Sequence, residues 1–197
     1  MKISVLICLL FFSCTSKNNN TDNSVDHPVE RISIVESKSE NSIQNKSLVD
    51  FSYDHKTILS RNDFECNVFV YEGSLVIQLI KDKEEVNISL GGINLYSAKP
   101  FAGNFTLASQ ENENTALVSI YANDTNSGER IKSPIFFDGK LEIISFNEKE
   151  LRIEIDALGG SYNDMKKTDN WKTIKGSVVA INPQFSQINE NIKKLFY

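Results

Sequence analysis

The chain contains 197 residues with a formal net charge of -5, from 21 Lys and Arg against 26 Asp and Glu. Hydrophobic residues make up 40% of it, which is the composition of an ordinary globular domain. The lack of a basic excess argues against nucleic acid as a partner. Two His and three Cys residues leave little material for a His-rich metal site or a disulfide framework. We therefore expect no nucleic-acid partner, no cofactor and no metal.

Residues 1–13 are predicted to form a short secretory signal peptide. Lys2 supplies a positive charge, an apolar run extends from Ile3 to Phe12, and the small residue Ser13 precedes Cys14. This run is much shorter than the roughly 20 residues that cross a bilayer as a helix. A retained transmembrane helix is therefore not expected here.

The order of signal, Cys14 and polar tract resembles the signal of a bacterial lipoprotein. The resemblance implies that Cys14 becomes the N-terminal residue and carries lipid such as palmitate, which anchors the protein to a membrane. Because Thr15 is not Asp, the analogy with lipoprotein sorting points to the outer membrane and leaves the periplasmic or surface face open. The alternative is an ordinary signal cut near Ser16, which would release a secreted protein.

Residues 14–48 are predicted to be the lipidated Cys and a flexible polar stalk, and residues 49–197 a β domain. The stalk is rich in Asn, Ser, Asp, Glu and Lys, with a brief apolar stretch at Ile32, Ile34 and Val35. Within the β domain, Cys66 lies beside Val68 and is expected to be a buried small hydrophobe.

Apolar residues recur with period two beyond residue 64, which indicates half-buried strands. The pairs Glu72-Gly73 and Asp138-Gly139 are predicted to be two-residue hairpin turns. The predicted strands are 66–71, 74–80, 85–90, 93–96, 103–108, 115–122, 130–137, 140–146, 150–157 and 173–181.

Glu142 is an anomaly in this pattern. If Asp138-Gly139 and Glu148-Lys149 are both turns, Glu142 pairs with Ile155 on the apolar face, whereas a one-residue bulge would move it to the wet face. The first register places Glu142 and Glu154 on opposite faces, which argues against this pair as the two carboxylates of a glycosidase. We keep Glu142 as a speculative functional carboxylate.

A short amphipathic helix is predicted at the end of the chain. Asn182 is placed as its N-cap and Pro183 as its first residue, and apolar residues follow at helical spacing. We expect this apolar stripe to pack against the β domain rather than against a partner. The stripe comprises Phe185, Ile188, Ile192 and Leu195.

The longest predicted connection between strands, residues 159–171, is the candidate ligand site. Two aromatic rings with amide and carboxylate groups near them could form a platform for a sugar or peptide. The alternative is that Trp171 turns inward as a core anchor. The candidate residues are Tyr162, Asn163, Asp164, Asn170 and Trp171. The sequence contains no G-x-S-x-G, H-E-x-x-H, G-x-G-x-x-G or P-loop motif, so we name no catalytic residue.

The runs VNISL, PFAGNFTLAS, ALVSIYA, DGKLEIISF, LRIEIDAL and TIKGSVVAI follow one another over residues 65–181. Their order resembles a group of secreted, β-rich lipoproteins of Gram-negative bacteria that have no assigned activity. The resemblance rests on loose patterns such as Gly103-Asn104-Phe105 and the run from Gly139 to Ile143. It implies an envelope location and a β class, and it carries over no catalytic residues.

The sequence therefore predicts an all-β fold, an antiparallel β-sandwich with a short C-terminal helix. The alternative is a lipocalin-like up-and-down barrel with the same helix. The expected function is that of a lipid-anchored envelope protein that binds a glycan, lipid or protein without catalysis. Two alternatives remain: a carboxylate-dependent hydrolase of glycans, and a structural or inhibitory envelope module that uses a strand edge or the terminal helix.

Overall fold

A computed structural model describes residues 45–107 and 113–197. The predicted signal, Cys14 and nearly all of the predicted stalk lie outside the described residues. The elements are β1 (Lys46–Tyr53), β2 (Lys56–Tyr71), β3 (Ser74–Lys81), β4 (Glu84–Gly91), β5 (Phe101–Thr106), β6 (Thr115–Tyr121), β7 (Ile135–Phe146), β8 (Glu150–Gly160), β9 (Lys172–Ile181), β10 (Gln184–Phe185) and α1 (Glu190–Lys193). Strand β1 thus includes the last three residues of the interval assigned to the stalk.

The strands form one sheet that closes on itself. Neighbours follow the order β1, β9, β8, β7, β5, β6, β4, β3 and β2, and β2 then pairs with β1. Within the described residues, the fold is therefore an all-β, nine-stranded closed barrel with one short α-helix, and the expected sandwich is not confirmed. The barrel alternative is compatible with this topology, although β5 lies parallel to β6, which departs from a simple up-and-down order.

Closure depends on the length of β2, which has 16 residues. Its first part pairs with β1, and this pairing ends where Phe64 lies opposite Ser47. Its second part pairs with β3, and this pairing begins where Glu65 lies opposite Ile80. A single strand thus belongs to two successive pairings and joins the ends of the sheet. A sheet of two separate layers, as in a sandwich, does not need such a strand.

Side chains complete the hydrogen bonding of β2 where no strand lies beside it. The amide of Asn45 bonds both backbone groups of Cys66, donating from Nδ2 to its carbonyl at 3.0 Å and accepting from its N–H at 3.2 Å. On the other edge, the Ser60 N–H donates to Thr125 Oγ1 at 2.8 Å, and Asn126 Nδ2 donates to the Thr57 carbonyl at 3.1 Å. Backbone groups that would otherwise be exposed at a sheet edge are therefore satisfied.

The interior of the barrel is filled by side chains. Alternate residues of the strands point inward and form one continuous apolar cluster, because the strand period is two. Its largest fully buried members include Phe51, Phe64, Phe101 and Phe105. Cys66 belongs to this cluster, and burial raises the pKa of its thiol to about 12, so the prediction of a buried small hydrophobe is confirmed.

The predicted turn at Asp138-Gly139 is wrong, because β7 continues through it as one strand. Gly139 has φ +120°, and a Cβ there would lie 2.4 Å from the Asp156 carbonyl oxygen. Gly139 thus lies beside the irregularity in pairing between Phe136 and Asp138 that bends the strand, rather than in a hairpin. The two strands predicted at 130–137 and 140–146 are accordingly one.

A second irregularity on β7 corrects the position of Glu142. The pairing with β8 shifts between Ile143 and Ser145, so Ile144 is the extra residue of a bulge. Glu142 consequently pairs with Glu154 rather than with Ile155, and it faces outward. The one-residue bulge considered from the sequence is confirmed, and the register without it is wrong.

Of the other local predictions, one turn is confirmed and one strand is wrong. The turn at Glu72-Gly73 is confirmed, since Tyr71 pairs with Ser74. Residues 93–96 form turns rather than a strand. There Leu95 enters the core, and the Tyr96 hydroxyl donates to the Ser74 carbonyl at 2.6 Å.

The predicted C-terminal helix is present, but it begins later than expected. Asn189, not Asn182, is its N-cap, and its side chain accepts from the N–H groups of Asn191 and Ile192. Asn182 has φ +53° and precedes β10, which pairs in parallel with β2. Aromatic residues from this segment then pack at one end of the barrel: Phe185, Phe196 and Tyr197 against Phe146, and Tyr197 also against Phe101.

Two glycines with positive φ allow a test of the β7 irregularity. Gly128 has φ +69° and nothing within 4 Å of an added Cβ, whereas Gly139 is crowded by the backbone of β8. We expect Gly128→Ala to lower the free energy of unfolding by about 1 kcal/mol and Gly139→Ala by about 3 kcal/mol. Urea denaturation of both variants measures the difference, and equal losses would contradict the bulge geometry.

Candidate functional site

A groove of about 800 Å³ lies on the outer wall of the barrel, across β1, β9, β8 and β7. Nine of its thirteen lining residues have polar or charged side chains, in contrast to the apolar interior. The lining residues are Asp50, Phe51, Ser52, Thr57, Gly139, Lys140, Glu142, Glu154, Ile155, Asp156, Lys175, Gly176 and Ser177.

Strand pairing arranges the outward side chains of this groove in two rows across the strands. The first row runs from Asp50 through Ser177 and Glu154 to Glu142. The second row, two residues along each strand, comprises Ser52, Lys175, Asp156 and Lys140. Neighbouring strands lie about 4.8 Å apart, so each row places its polar groups at regular intervals across the groove.

A glycine is required at position 176, where the groove crosses β9, because a larger side chain would collide with the core. It lies between Phe51 on β1 and Ile155 on β8, and an added Cβ would lie 2.6 Å from Phe51 Cε1. Because Phe51 is buried, the conflict would fall on the core rather than on solvent. The glycine therefore keeps the Phe51 ring packed beneath the groove.

Two ion pairs in the groove leave two carboxylates unpaired. Lys140 Nζ lies 2.6 Å from Glu142 Oε1, and Lys175 forms an ion pair with Asp156. In the part of the chain that the structure describes, the carboxylates of Asp50 and Glu154 form no hydrogen bond or ion pair. The lining thus has an excess of negative charge.

The pairing of Glu142 with Glu154 has chemical consequences. Directly opposed residues of antiparallel strands have Cβ atoms roughly 4.5–5.5 Å apart. Retaining glycosidases use two carboxyl groups at a separation of about 5–5.5 Å. The expectation that Glu142 and Glu154 lie on opposite faces of the sheet is wrong. The argument against these two residues as the carboxylates of a glycosidase therefore no longer holds.

Sequence reasoning missed most of this groove. The alternation of Arg152, Glu154 and Asp156 along β8 indicates a solvent-exposed face. No pattern of neighbouring residues, however, shows that β1 lies beside β9 and therefore two strands from β8. The sequence pattern therefore assigns no role to Asp50. The sequence pattern singles out Glu142 for a different reason and considers Glu154 as its partner, without placing either in a groove.

The predicted ligand loop is organised around Asp164. Its carboxylate accepts hydrogen bonds from the hydroxyl and N–H of Ser161 and, at 3.1 Å, from Asn170 Nδ2. The bonds from Ser161 and Asn170 hold the pKa of Asp164 below its usual value. The Asp164 carbonyl in turn accepts from Trp171 Nε1 at 3.0 Å. Asp164 thus has a structural role within the loop.

Trp171 serves as an anchor for the same loop. Its ring packs against Phe137, with centroids 5.2 Å apart, and Phe137 is buried. Phe137 is not a member of the apolar cluster that fills the barrel, and Trp171 is half-buried, so the core anchor considered from the sequence is not confirmed. Tyr162 is instead 74% exposed. A ligand-binding role for Tyr162, Asn163, Asp164, Asn170 and Trp171 stays a prediction.

Residues 45–107 and 113–197 contain no group of three or more His, Cys, Asp or Glu side chains placed to hold a metal ion. Among the helices in those ranges, none is long and apolar enough to cross a membrane. Cys14, the predicted lipidation site, lies outside the described residues.

Compared with known proteins, the chain matches no family model, no curated protein and no solved structure. The fold and the groove alone define its class, which is a closed β-barrel with a filled interior and a charged groove on its outer wall.

Acidification should release the Asp164 loop. A depressed folded-state pKa contributes stability that is present above the unfolded-state pKa and is lost as pH falls through the folded-state value. We expect the fluorescence of Trp171, the single Trp, to change below a pH of about 3.9, and Asp164→Asn to remove that step. Asp169→Asn, in the same loop, is the matched control and should titrate like the parent protein. Identical curves for all three would contradict this role.

Proposed function

We propose that the protein is a lipid-anchored envelope protein whose β-barrel binds a polar ligand in the groove of its outer wall, without catalysis. The observation that carries the proposal is the contrast between a filled interior and a polar groove. Ligand sites are concave and present a few convergent polar groups, which the groove provides.

The filled interior argues against a lipid or another hydrophobic ligand inside the barrel. Barrels that carry such ligands keep a cavity at their centre. Here Phe51, Phe64 and Phe105 are at most 2% exposed and belong to one packed cluster. The charged lining of the groove instead favours a ligand with its own polar groups.

The membrane anchor is proposed from the sequence at Cys14. The short signal before it and the polar tract after it support acylation, and Thr15 supports the outer membrane as the destination. Release as a secreted protein, after cleavage near Ser16, is the alternative. Both versions place the barrel outside the cytoplasm.

A second candidate function is a carboxylate-dependent hydrolase of glycans. The specific observation in its favour is that Glu142 and Glu154 face each other within the groove. The ion pair between Lys140 and Glu142 would have to open for Glu142 to take or give a proton.

Filling the groove should abolish binding. Ser177 faces outward between Asp50 and Glu154, so Ser177→Trp places an indole in the groove. We expect at least one probe among a chito-oligosaccharide, spermidine, a basic peptide and an acidic peptide to shift the amide resonances of groove residues. Ser177→Trp should remove these shifts.

The matched control is Ser119→Trp, an exposed position on β6 at which binding should be retained. Shifts confined to residues 161–171, or binding that survives Ser177→Trp, would contradict the groove as the site. Breakdown of the chito-oligosaccharide that Glu142→Gln stops would favour the hydrolase over the non-catalytic proposal.

Anchoring is tested at Cys14. In a Gram-negative host, the parent protein should incorporate labelled palmitate and partition into the detergent phase, because acyl chains contribute about 0.8 kcal/mol per buried CH₂. Cys14→Ser should do neither, whereas Cys8→Ser should behave like the parent protein. Partition of Cys14→Ser into the detergent phase would count against the anchor.

A further inference from the structure

We infer that the groove binds an extended peptide segment in which basic side chains alternate with aliphatic ones. The inference rests on the proposed function, since it names the ligand class of the same groove. Three properties of the described residues carry it: the charge of the lining, the apolar surface at one side of it, and the lack of an exposed aromatic ring within it.

The charge of the lining favours a cationic ligand. The lining contains four carboxylates and two lysine side chains. Both lysines already have partners, because Lys140 pairs with Glu142 and Lys175 with Asp156. The unpaired carboxylates of Asp50 and Glu154 lie in the same row, two strands apart, so a ligand with two positive groups can pair with both.

Apolar side chains lie beside the acidic row on β1 and β9, whereas the corresponding position on β8 is Arg152, which forms an ion pair with Glu150. Leu48 is two residues from Asp50 on β1 and pairs with Val179 on β9. Leu48 is 43% exposed, and Ile181, two residues beyond Val179, is 45% exposed. Surface of this kind next to unpaired carboxylates complements a ligand that carries aliphatic and basic groups close together.

The lining argues against a glycan as the ligand. Sugar rings commonly stack on exposed aromatic faces. Among the residues that line the groove, the single aromatic one is Phe51, which is 1% exposed. Hydroxyl groups are supplied by Ser52, Thr57 and Ser177, which can bond the backbone amides of a peptide.

The test uses the purified full-length chain and fluorescein-labelled peptides of six residues. One peptide alternates Leu and Arg, and its reference alternates Leu and Glu. The first variant is Asp50→Asn with Glu154→Gln. The control variant, Glu65→Gln with Glu129→Gln, removes the same two charges from exposed positions outside the groove. Circular dichroism checks that both variants remain folded.

We expect the Leu-Arg peptide to bind, and the Leu-Glu peptide not to. The dissociation constant should rise about fivefold in the groove variant and less than about twofold in the control, as expected for two exposed charge pairs. Leu48→Ser should also weaken binding, and spermidine should compete only weakly, because it lacks the aliphatic side chains.

Three results would overturn the inference. They are equal effects of the two charge variants, competition by spermidine as strong as that of the peptide, and binding of a chito-oligosaccharide in the groove while the Leu-Arg peptide does not bind. The last result leaves the groove as a binding site intact. Failure of the proposed function would give a different result: Ser177→Trp would then leave the binding of every probe unchanged.

Discussion

The structure depends on how one long strand satisfies its backbone hydrogen bonds. Strand β2 has 16 residues, more than either neighbour can pair, so β1 takes its first part and β3 its second. Side chains complete what the strands leave open: the Asn45 amide bonds Cys66, and Thr125 bonds Ser60. Because this strand joins both ends of the sheet, the barrel closes without an exposed edge along it.

Closure determines where a ligand can bind. Inward side chains meet from all nine strands and fill the interior, so the outer wall carries the groove. On that wall the period of two places carboxylates and lysines in rows across β1, β9, β8 and β7. Gly176 keeps Phe51 packed beneath them, which couples the position of the groove to the packing of the core.

The sequence predicted part of what depends on neighbours along the chain and missed what depends on distant pairing. The alternation along β8 and the turn at Glu72-Gly73 are local and were predicted correctly. Asp138-Gly139 was predicted wrongly because the same dipeptide suits a hairpin turn and an irregularity within a strand. Two features depend on strand pairing: the choice between sandwich and barrel, and the position of Asp50 near Glu154. Both need the pairings of β1 with β9 and of β9 with β8. The pairing of β1 with β9 joins residues that are far apart along the chain.

Native-state hydrogen exchange at the β2 seam tests closure of the barrel most directly. The amide protons of Ser60 and Cys66 are bonded by side chains rather than by a neighbouring strand. If those bonds seal the barrel, both amides should exchange slowly, with protection on the order of 10³ or more, as expected for opening coupled to unfolding of the sheet. Exchange of both amides at the rate of an unstructured peptide, while amides of β7 and β8 stay protected, would contradict a closed barrel.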